Sequence, residues 1–456
     1  MPVRRVSWWC RSKKWSSNRL AADQIIIMEI IDIRTTDAPP AEGWLRRPVL
    51  DTRSLEETVG AILAEVRRDG DAAVRKFSLA FDKSAPDVLE LTAAEIAQGA
   101  AGLDEALKVA IRKAAEHITA FHQLQLRHES SMETMPGVRC WRRSIGIEKV
   151  GLYIPGGTAP LFSTLLMLAI PAKIAGCREI VLCSPPDRHG RLHPAILYAA
   201  SVVGVTRIFK VGGVQAIAAM AYGTESIPAV YKIFGPGNQY VTCAKQLIQR
   251  DGVAIDMPAG PSEVAVYADE TAYPGFVAAD LLSQAEHGAD SQVILVSADP
   301  AMIEAVLATV EIQLNVLPRA DIAHKALHNS RAFVVRDAAQ AMELLNEYAP
   351  EHLILACANA EELAEQVINA GSVFLGHYSP ESVGDYASGT NHVLPTNGHA
   401  RAYSGVSLDS FVKKITFQQL TQEGLNGIAE TVVRMAEAEG LEAHARAVSV
   451  RVEKLQ

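Results

Sequence analysis

Hydrophobic and polar positions follow one pattern in the first part of the chain and another in the rest. Between residues 54 and 118 apolar side chains recur at steps of three and four, as at Leu55, Val59 and Ile62, and this period predicts long amphipathic helices. From about residue 148 short apolar runs alternate with alanine-rich helical stretches. These runs predict strands at residues 149–154, 179–183, 207–211, 232–234, 263–267, 292–296, 332–335, 352–355 and 372–375.

The alternation of strands and helices predicts the fold class. Apolar strands that alternate with helices are typical of parallel sheets covered on both faces. Nine strands are many for one domain, so the sequence predicts an α/β chain with two doubly wound domains, divided near residues 153 and 263. No strand-like run is visible after about residue 408, which predicts a small helical domain over residues 408–456.

Composition and charge narrow the function classes. With 49% hydrophobic and 21% charged residues, the 456-residue chain has the composition of a folded globular protein. Its net charge of −9 argues against a nucleic-acid binder that neutralises phosphates. Six of the 43 basic residues but only one of the 52 acidic residues lie in residues 1–27, so the rest of the chain carries a net charge of −14.

The basic first 27 residues also hold three of the five tryptophans. Their apolar run at residues 6–10 is too short for a secretory signal, which needs about 7–15 apolar residues. We interpret the segment as an extension outside the fold, with Met28 as the natural start. A transit peptide, which is also arginine-rich and poor in acids, is the alternative interpretation.

The cysteines and the apolar stretches indicate the compartment. Six cysteines without a C-x-x-C pair or a zinc-ribbon spacing, in a chain of this size, are typical of a reduced, cytoplasmic protein. The longest mostly apolar stretch, residues 161–175, contains Pro171 and Lys173. It is shorter than the roughly 20 residues that span a bilayer, so no membrane segment is predicted.

Four glycine-rich turns lie at residues 154–157, 211–213, 234–238 and 258–262. The first three follow predicted strands, where doubly wound folds bind their ligands, and glycine lets a backbone approach a ligand closely. None of the four is a G-x-G-x-x-G fingerprint or a Walker loop. Each alone could be a simple tight turn, but four in one region favour a crevice of nucleotide size.

Two pairs of residues have the chemistry of a catalytic centre. Gln284 and His287 are three positions apart on a predicted helix that Gly288 ends, so they share a face and could bind one Zn²⁺. Glu351 and His352 stand together at the start of a predicted strand, where an acid and a base suit proton transfer. For both pairs an ordinary structural role is the open alternative.

Two further segments are polar but ambiguous on their own. Residues 384–396 lack periodicity and are dense in polar groups, as in loops that carry function and equally in solvated surface loops. Near the C-terminus, Glu439 and His444 would by themselves be interpreted as surface residues.

Taken together, these blocks resemble the histidinol dehydrogenase family from Met28 to the C-terminus. The resemblance is carried by the stretches GLYIPGGTAPLFSTLLMLAIPAKIAGC, VGGVQAIAAMAYGTE, KIFGPGNQYVT, IDMPAGPSEV, LLSQAEHG, YAPEHL and GDYASGTNHVLPT. It implies an enzyme that uses zinc and two successive NAD molecules. The family oxidises L-histidinol to L-histidinaldehyde and then to L-histidine.

The resemblance also implies roles for individual residues. His352 would accept the hydroxyl proton and assist again in the second oxidation, and Glu351 would activate the water that attacks the aldehyde. One Zn²⁺ per subunit would be bound by Gln284, His287, Asp385 and, from the partner subunit of a homodimer, His444. NAD would contact Tyr153, Gln215 and Asn238. Substrate would contact Ser262, His352, His392 and Glu439 besides the zinc ligands, with Glu439 and His444 both donated across the interface.

The fold implied is two Rossmann-like domains without the usual fingerprint, plus small terminal pieces. The first would comprise residues 51–152 and 264–407 with the zinc and catalytic residues, and the second residues 153–263 with the NAD contacts. Residues 28–50 would form an N-terminal arm and residues 408–456 a small helical domain.

Three other functions remain as alternatives. The first is a related zinc and NAD dehydrogenase for another polar alcohol, such as a sulfonated propanediol; Glu439, His392 and His444 favour histidinol, because they suit an amine and an imidazole. The second is a zinc protein that has lost catalysis, against which the intact Glu351 and His352 argue. The third is a metallohydrolase, which would leave the NAD contacts without a role.

Overall fold

A computed structural model describes residues 28–36, 43–47, 53–127, 129–156, 160–258 and 260–454. The interpretation of residues 1–27 as an extension lies outside the described residues, as do parts of the predicted N-terminal arm and of two glycine-rich turns. Within the described part no helix is both long enough and apolar enough to cross a membrane.

Fourteen strands lie in the described part of the chain. They are β1 (Glu29–Asp32), β2 (Met132–Met135), β3 (Val138–Gly146), β4 (Lys149–Tyr153), β5 (Glu179–Ser184), β6 (Arg207–Lys210), β7 (Lys232–Phe234), β8 (Ala254–Ile255), β9 (Glu263–Ala268), β10 (Gln292–Ser297), β11 (Arg331–Val334), β12 (His352–Ala356), β13 (Ser372–Leu375) and β14 (Val412–Leu420). All nine strands predicted from the sequence are present, each within one or two residues of its expected bounds.

Fifteen α-helices lie in the same described part. They are α1 (Arg53–Phe81), α2 (Ala93–Ala101), α3 (Glu105–Gln123), α4 (Phe162–Ile174), α5 (Pro194–Val203), α6 (Gly213–Tyr222), α7 (Gln239–Ile248), α8 (Pro274–Ala285), α9 (Pro300–Leu314), α10 (Ala320–His328), α11 (Ala338–Tyr348), α12 (Ala360–Ala364), α13 (Glu381–Tyr386), α14 (Gln422–Ala438) and α15 (Glu442–Glu453). The long amphipathic helices expected between residues 54 and 118 correspond to α1 and α3.

Two parallel sheets form the framework, and their strands follow the same order. The five-stranded sheet runs β6-β5-β4-β7-β8, and the six-stranded sheet runs β1-β11-β10-β9-β12-β13. With β1 set aside, each sheet places its strands in the sequence order three, two, one, four, five, which is the order of a doubly wound sheet. The expected α/β class with parallel sheets is therefore confirmed.

Apolar clusters cover both faces of each sheet. Because strands such as β9 and β10 are buried along their whole length, they show the continuous apolar runs by which they were predicted. Fully buried side chains of the five-stranded sheet include Leu152 and Phe209, which belong to clusters on opposite faces. The six-stranded sheet likewise packs Val266 on one face and Phe333 on the other.

Residues 51–152 pack differently from the prediction. They were expected to join residues 264–407, but α1 packs against α6 and α7, α2 against α5, and α3 against α4, all around the five-stranded sheet. Strand β4, which the predicted division at residue 152 would cut, is the central strand of that sheet. The correction has a physical reason, since a helix pattern shows which face is apolar but not which sheet will cover it.

The chain ends also depart from the prediction. Residues 408–456 are not purely helical, because β14 pairs along its whole length with β3, and β3 pairs with β2, in a three-stranded antiparallel sheet. Helix α14 then packs on β14 and on α15. At the other end β1 lies beside β11 at the edge of the six-stranded sheet, so the start of the predicted arm is part of that sheet.

Candidate active site

A cleft of about 2360 Å³ lies between the two parallel sheets. The five-stranded sheet contributes the loops after β4, β5, β6 and β7, which include three of the four glycine turns found in the sequence. The six-stranded sheet contributes the segments before β9, β10 and β12 instead. The cleft is therefore bounded by the carboxyl ends of one sheet and the amino ends of the other.

The predicted catalytic pair lies on the six-stranded side, at the start of β12. Both side chains bind the backbone of one residue of β9: Oε2 of Glu351 accepts the backbone N–H of Glu263 at 2.9 Å, and Nδ1 of His352 donates to the carbonyl of Glu263 at 3.0 Å. That donation leaves Nε2 of His352 as the basic atom of the neutral ring. Nε2 is buried without a hydrogen-bond partner, 3.4 Å from Oδ1 of Asp385.

Burial and neighbouring charges shift the pKa values of both Glu351 and His352. Burial raises the pKa of Glu351 to about 8, because the protein interior disfavours its charged form. Burial alone would lower the pKa of His352, but the carboxylates of Glu351 and Asp385 favour its charged form and raise the pKa to about 10. The two groups titrate as a coupled pair, and acids and bases tuned in this way are typical of functional sites.

The residues predicted to bind zinc within one chain meet beside this pair. Gln284 lies in the last turn of α8, which ends at Ala285 rather than at Gly288. His287 is therefore in the turn after the helix, not on its face as predicted, but its backbone N–H still donates to the carbonyl of Gln284. Asp385 lies in the short helix α13, and burial would raise its pKa, but contact with His352 lowers it overall.

Hydrogen bonds to neighbouring residues fix the side chains of His287 and Gln284. Nδ1 of His287 donates to the carbonyl of Ser283 at 3.0 Å, which leaves the lone pair of Nε2 free. The amide of Gln284 forms hydrogen bonds at both of its atoms when its nitrogen donates to Glu381 at 3.0 Å and its oxygen accepts the N–H of Glu263 at 3.1 Å. An amide oxygen, an imidazole nitrogen and a carboxylate are donors that suit Zn²⁺.

This set is incomplete within a single chain. In the described part of the chain, no group of three or more histidine, cysteine, aspartate and glutamate side chains is arranged to hold a metal ion. Only His287 and Asp385 of the set are residues of those types. The residues fit a zinc ion that takes a further ligand from elsewhere, as predicted for His444.

His392, a predicted substrate contact, also reaches the site. Nδ1 of His392 donates to the carbonyl of Asp385 at 2.8 Å, and Nε2 lies 3.0 Å from the hydroxyl of Thr164. Burial lowers the pKa of His392, which favours the neutral ring. His392 and Ser262 both line the cleft beside Glu351, so the structure brings these substrate-contact candidates together.

Glu439 and His444 do not join the other site residues within one chain. Glu439 caps the C-terminus of α14, and His444 lies in the first turn of α15. Both are exposed, and in the described part of the chain neither has a hydrogen bond or an ion pair with another predicted site residue.

The predicted NAD contacts lie on the five-stranded side of the cleft. The hydroxyl of Tyr153 accepts the backbone N–H of Gly213 at 3.1 Å, and burial raises the pKa of Tyr153 to about 12. Gln215 is fully buried, and among the described residues its Oε1 has no hydrogen-bond partner. Asn238 is the N-cap of α7, where its Oδ1 accepts the N–H groups of Tyr240 and Val241, and within the same described part its amide nitrogen has no hydrogen bond at the cleft.

Two glycines in these loops have conformations that a side chain would disturb. Gly213 has a φ of 62° at the start of α6, and a Cβ there would press against Oε1 of Gln215. Gly235 has a φ of 122°, and a Cβ there would overlap the carbonyl of Tyr153. The loops therefore keep a bare backbone beside the cleft, which fits the close approach of a dinucleotide.

Several functional neighbours were not found from the sequence. Glu263 holds the catalytic pair through its backbone, and its side chain forms a buried ion pair with Arg47. Glu381 accepts from the hydroxyl of Ser283 and has a pKa raised to about 7 by burial. Single charged residues carry no spacing signal, although Glu263 follows directly after a glycine turn.

The thiols show no sign of reactivity. In the described part of the chain the five cysteines are unpaired, and Cys177 and Cys183 are buried. Burial raises the pKa of Cys177 to about 11 and raises that of Cys183 as well, so both remain neutral thiols near pH 7. A thiol adduct is therefore not supported.

Known proteins with the same features point to one family. The sequence pattern that defines histidinol dehydrogenases matches residues 45–452. A histidinol dehydrogenase of Bacteroides thetaiotaomicron is 59% identical over 92% of this chain and 98% of its own, and one of Vibrio cholerae is 53% identical over 91% and 96%. The crystal structure of histidinol dehydrogenase from Elizabethkingia anophelis superposes with a TM-score of 0.91 at 52% identity, covering 94% of this chain and 99% of that one. These relatives give no support to the sulfonated diol alternative.

Proposed function

Because the chain belongs to the histidinol dehydrogenase family, it is an oxidoreductase of histidine biosynthesis, and we propose that Glu351 and His352 carry out its proton transfers. The observation that carries this assignment is the pair itself. Both side chains are buried, both are anchored on Glu263, and both lie beside the residues that suit a zinc ion.

The reaction removes four electrons from L-histidinol in two oxidations. The first takes a hydride and a proton from the alcohol and yields the aldehyde. The second adds water to the aldehyde and takes a further hydride and proton, yielding the carboxylic acid. Bound NAD would supply the hydride acceptor for each oxidation.

His352 would serve the first oxidation as the general base. Its Nδ1 is held as a donor by the carbonyl of Glu263, so Nε2 is the ring atom that would accept the substrate's hydroxyl proton once the ring is neutral. Nearby carboxylates outweigh burial and raise the pKa of His352 to about 10, and a zinc ion that offsets the charge of Asp385 would lower this pKa toward the working pH. The hydroxyl proton would move to Nε2 as the carbon–hydrogen bond breaks. His352 would take a proton again in the second oxidation.

Glu351 would activate the water that attacks the aldehyde. Its Oε2 is fixed by the N–H of Glu263, and the residue also lines the cleft. A carboxylate with a pKa raised to about 8 is a stronger base than an ordinary one, and its ionised fraction grows as the pH rises toward 8, so it would take a proton from water most readily at slightly alkaline pH. The walls of the cleft would shield the aldehyde from solvent between the two steps.

One zinc ion per subunit would be held by Gln284, His287, Asp385 and His444 of the partner subunit. When bound, the ion would orient the imidazole and amine of the substrate and offset the charge of Asp385. His392 and Ser262 would contact the substrate from the same side. The neutral ring of His392 and its bond to Thr164 would hold that wall of the site in place.

The nucleotide would occupy the five-stranded side, where Tyr153, Gln215 and Asn238 lie among glycine turns. The unpartnered Oε1 of Gln215 can accept one hydrogen bond from the ligand, and the free amide of Asn238 can donate one. The doubly wound strand order supports two Rossmann-like domains, one around each sheet.

A homodimer would complete each site. One exposed apolar surface is formed by aromatic rings that contact one another, Tyr273 and Phe276 at the start of α8 and Tyr378 after β13. Helix α8 also carries Gln284, and Asp385 follows Tyr378 in the chain. Exposed Met435 and Leu441 flank Glu439 near His444. Apolar surfaces of this kind mark protein contacts, and docking of one on the other would bring Glu439 and His444 to the partner's site. We also propose that the enzyme acts in the cytoplasm, where its free buried thiols would remain reduced.

The assay is to mix the purified protein with histidinol, NAD and zinc and to follow NADH. We expect two NADH per histidinol, with histidinaldehyde oxidised faster than it is released. In the Glu351→Gln variant the oxidation of added aldehyde should fall far more than the oxidation of alcohol. The exposed Glu347, which pairs with Arg401 on the surface, provides the control variant Glu347→Gln. Absence of NADH in the wild type would refute the function, and equal loss of both steps would refute the role of Glu351.

A further inference from the structure

One carboxylate in the nucleotide half of the cleft has no role in the chemistry described above. Asp82 follows the end of α1 and lines the cleft together with Tyr153 and Gly213. Its Oδ2 lies 3.3 Å from Nε2 of Gln215, which donates to it, and the nearby backbone N–H of Gly212 favours the charged form of the same carboxyl group. Asp82 therefore contacts Gln215, one predicted NAD contact, and lies beside the 211–213 turn, whose Gly213 donates its N–H to Tyr153, another predicted NAD contact.

Unlike Asp82, three other carboxylates that line the cleft are engaged by a cation or by a helix cap. Asp187 is paired with Arg191, Asp256 with Lys245, and Glu95 accepts the hydroxyl of Thr92 in a helix cap. In the described part of the chain no cation forms an ion pair with Asp82. Burial raises its pKa to about 6, so at neutral pH it is mainly an ionised acceptor without a counter-charge.

A carboxylate of this kind discriminates between the two nicotinamide dinucleotides. It accepts hydrogen bonds from hydroxyl groups and repels phosphate, and NADP differs from NAD only by a phosphate on the 2′-hydroxyl of the adenosine ribose. Gln215 satisfies part of its acceptor capacity and holds it in place, and the carboxyl group, which lines the cleft, has lone pairs left for a ligand.

We propose that Asp82 selects NAD over NADP by accepting the 2′-hydroxyl of the adenosine ribose and repelling a phosphate at that position. The inference rests on the proposed function, because it requires a dinucleotide in this cleft. It adds a specificity residue on a segment, between α1 and α2, that lies outside all the glycine turns.

The test measures dinucleotide binding directly, without substrate, by isothermal titration calorimetry. In Asp82→Asn we expect the Kd for NAD to rise on the order of tenfold, since a charge-assisted hydrogen bond is lost, and the Kd for NADP to fall. Glu95→Gln is the matched control, because it removes one negative charge from the same cleft while a glutamine can still cap α2. Its ratio of the two Kd values should stay that of the wild type.

A second measurement changes the ligand instead of the protein and is made on the wild type and on Asp82→Asn. The analogue of NAD that lacks the 2′-hydroxyl of the adenosine ribose should bind the wild type about tenfold more weakly than NAD, and should bind Asp82→Asn as NAD does. Equal binding of the analogue and NAD to the wild type would overturn the proposal, as would an unchanged Kd ratio in folded Asp82→Asn. In both cases NADH formation from histidinol by the wild type would leave the proposed function standing.

Discussion

The two parallel sheets share one strand order but present opposite ends to the cleft. The five-stranded sheet meets it with the carboxyl ends of its strands, where glycine turns and the starts of α6 and α7 lie. The six-stranded sheet meets it with the amino ends, where Glu263, Glu351 and His352 begin or precede their strands. The same topology therefore serves two different tasks.

The difference follows from what each end of a sheet offers. Loops after parallel strands lead into helix N-termini, whose free N–H groups suit the phosphates of a nucleotide. At the amino ends the backbone offers no such row of donors, and this protein places buried ionisable side chains there instead. Binding should therefore depend mainly on one sheet and proton transfer mainly on the other, which substitutions on each side can test.

The largest effect is expected on the six-stranded side. Replacing His352 by asparagine removes the base but keeps a polar side chain of similar reach, so kcat for histidinol should fall by about 10²–10⁴ in both oxidations. The Kd for NAD should remain close to that of the wild type. Steady-state kinetics and calorimetry on the same preparation would check this, and a large change in NAD binding would contradict the division of tasks.

The next effect concerns the site shared between subunits. His444→Ala and His352→Asn should each be nearly inactive alone, but mixed subunits would contain one intact site per mixed dimer. With random exchange, activity should recover to about one quarter of the wild type, because half of the dimers are mixed and half of their sites are intact. If activity does not recover although mass spectrometry shows mixed dimers, then His444 does not act across the interface.

The smallest effect is expected on the five-stranded side. Asn238→Ala removes the cap of α7 and the free amide at the cleft, which should raise KM for NAD about fivefold and cost about 1 kcal/mol of folding stability. Asn238→Ser should keep the cap and restore the stability but not the KM. A fall in kcat as large as that of His352→Asn would remove the distinction between the two sides.

The sequence predicted buried elements well and exposed ones poorly. Strands β9 and β10 were found because every residue in them is buried and apolar or terminal. Strand β14 was missed because most of its residues are exposed. Polar residues such as Lys413, Lys414 and Gln418 replace the continuous apolar run by which the buried strands were predicted. The placement of α1 could not be predicted either, since its partner helices lie more than 130 residues away in sequence and no local signal connects them.

The candidate site divides in the same way. Glu351, His352, Gln284 and Asp385 lie in long motifs that resemble one family, so they were found from the sequence. Glu263 and Asp82 were not, because each is a single acid whose importance comes from a neighbour distant in the chain. Pairing across a sheet or between a helix end and a turn is decided by the fold as a whole.

The three-stranded antiparallel sheet determines which part of one subunit would support the site of the other in a dimer. This sheet packs against the five-stranded sheet just beyond the end of β3 and before the start of β14. There the N–H of Ile147 donates to the carbonyl of Phe411, and the ring of Phe411 stacks on that of Phe234 in β7 with centroids 4.0 Å apart. The same sheet carries the helices with Glu439 and His444. In the proposed dimer, the helices that complete the metal site of one subunit would therefore be anchored on the nucleotide half of the other, so each site would depend on the five-stranded sheet of its partner.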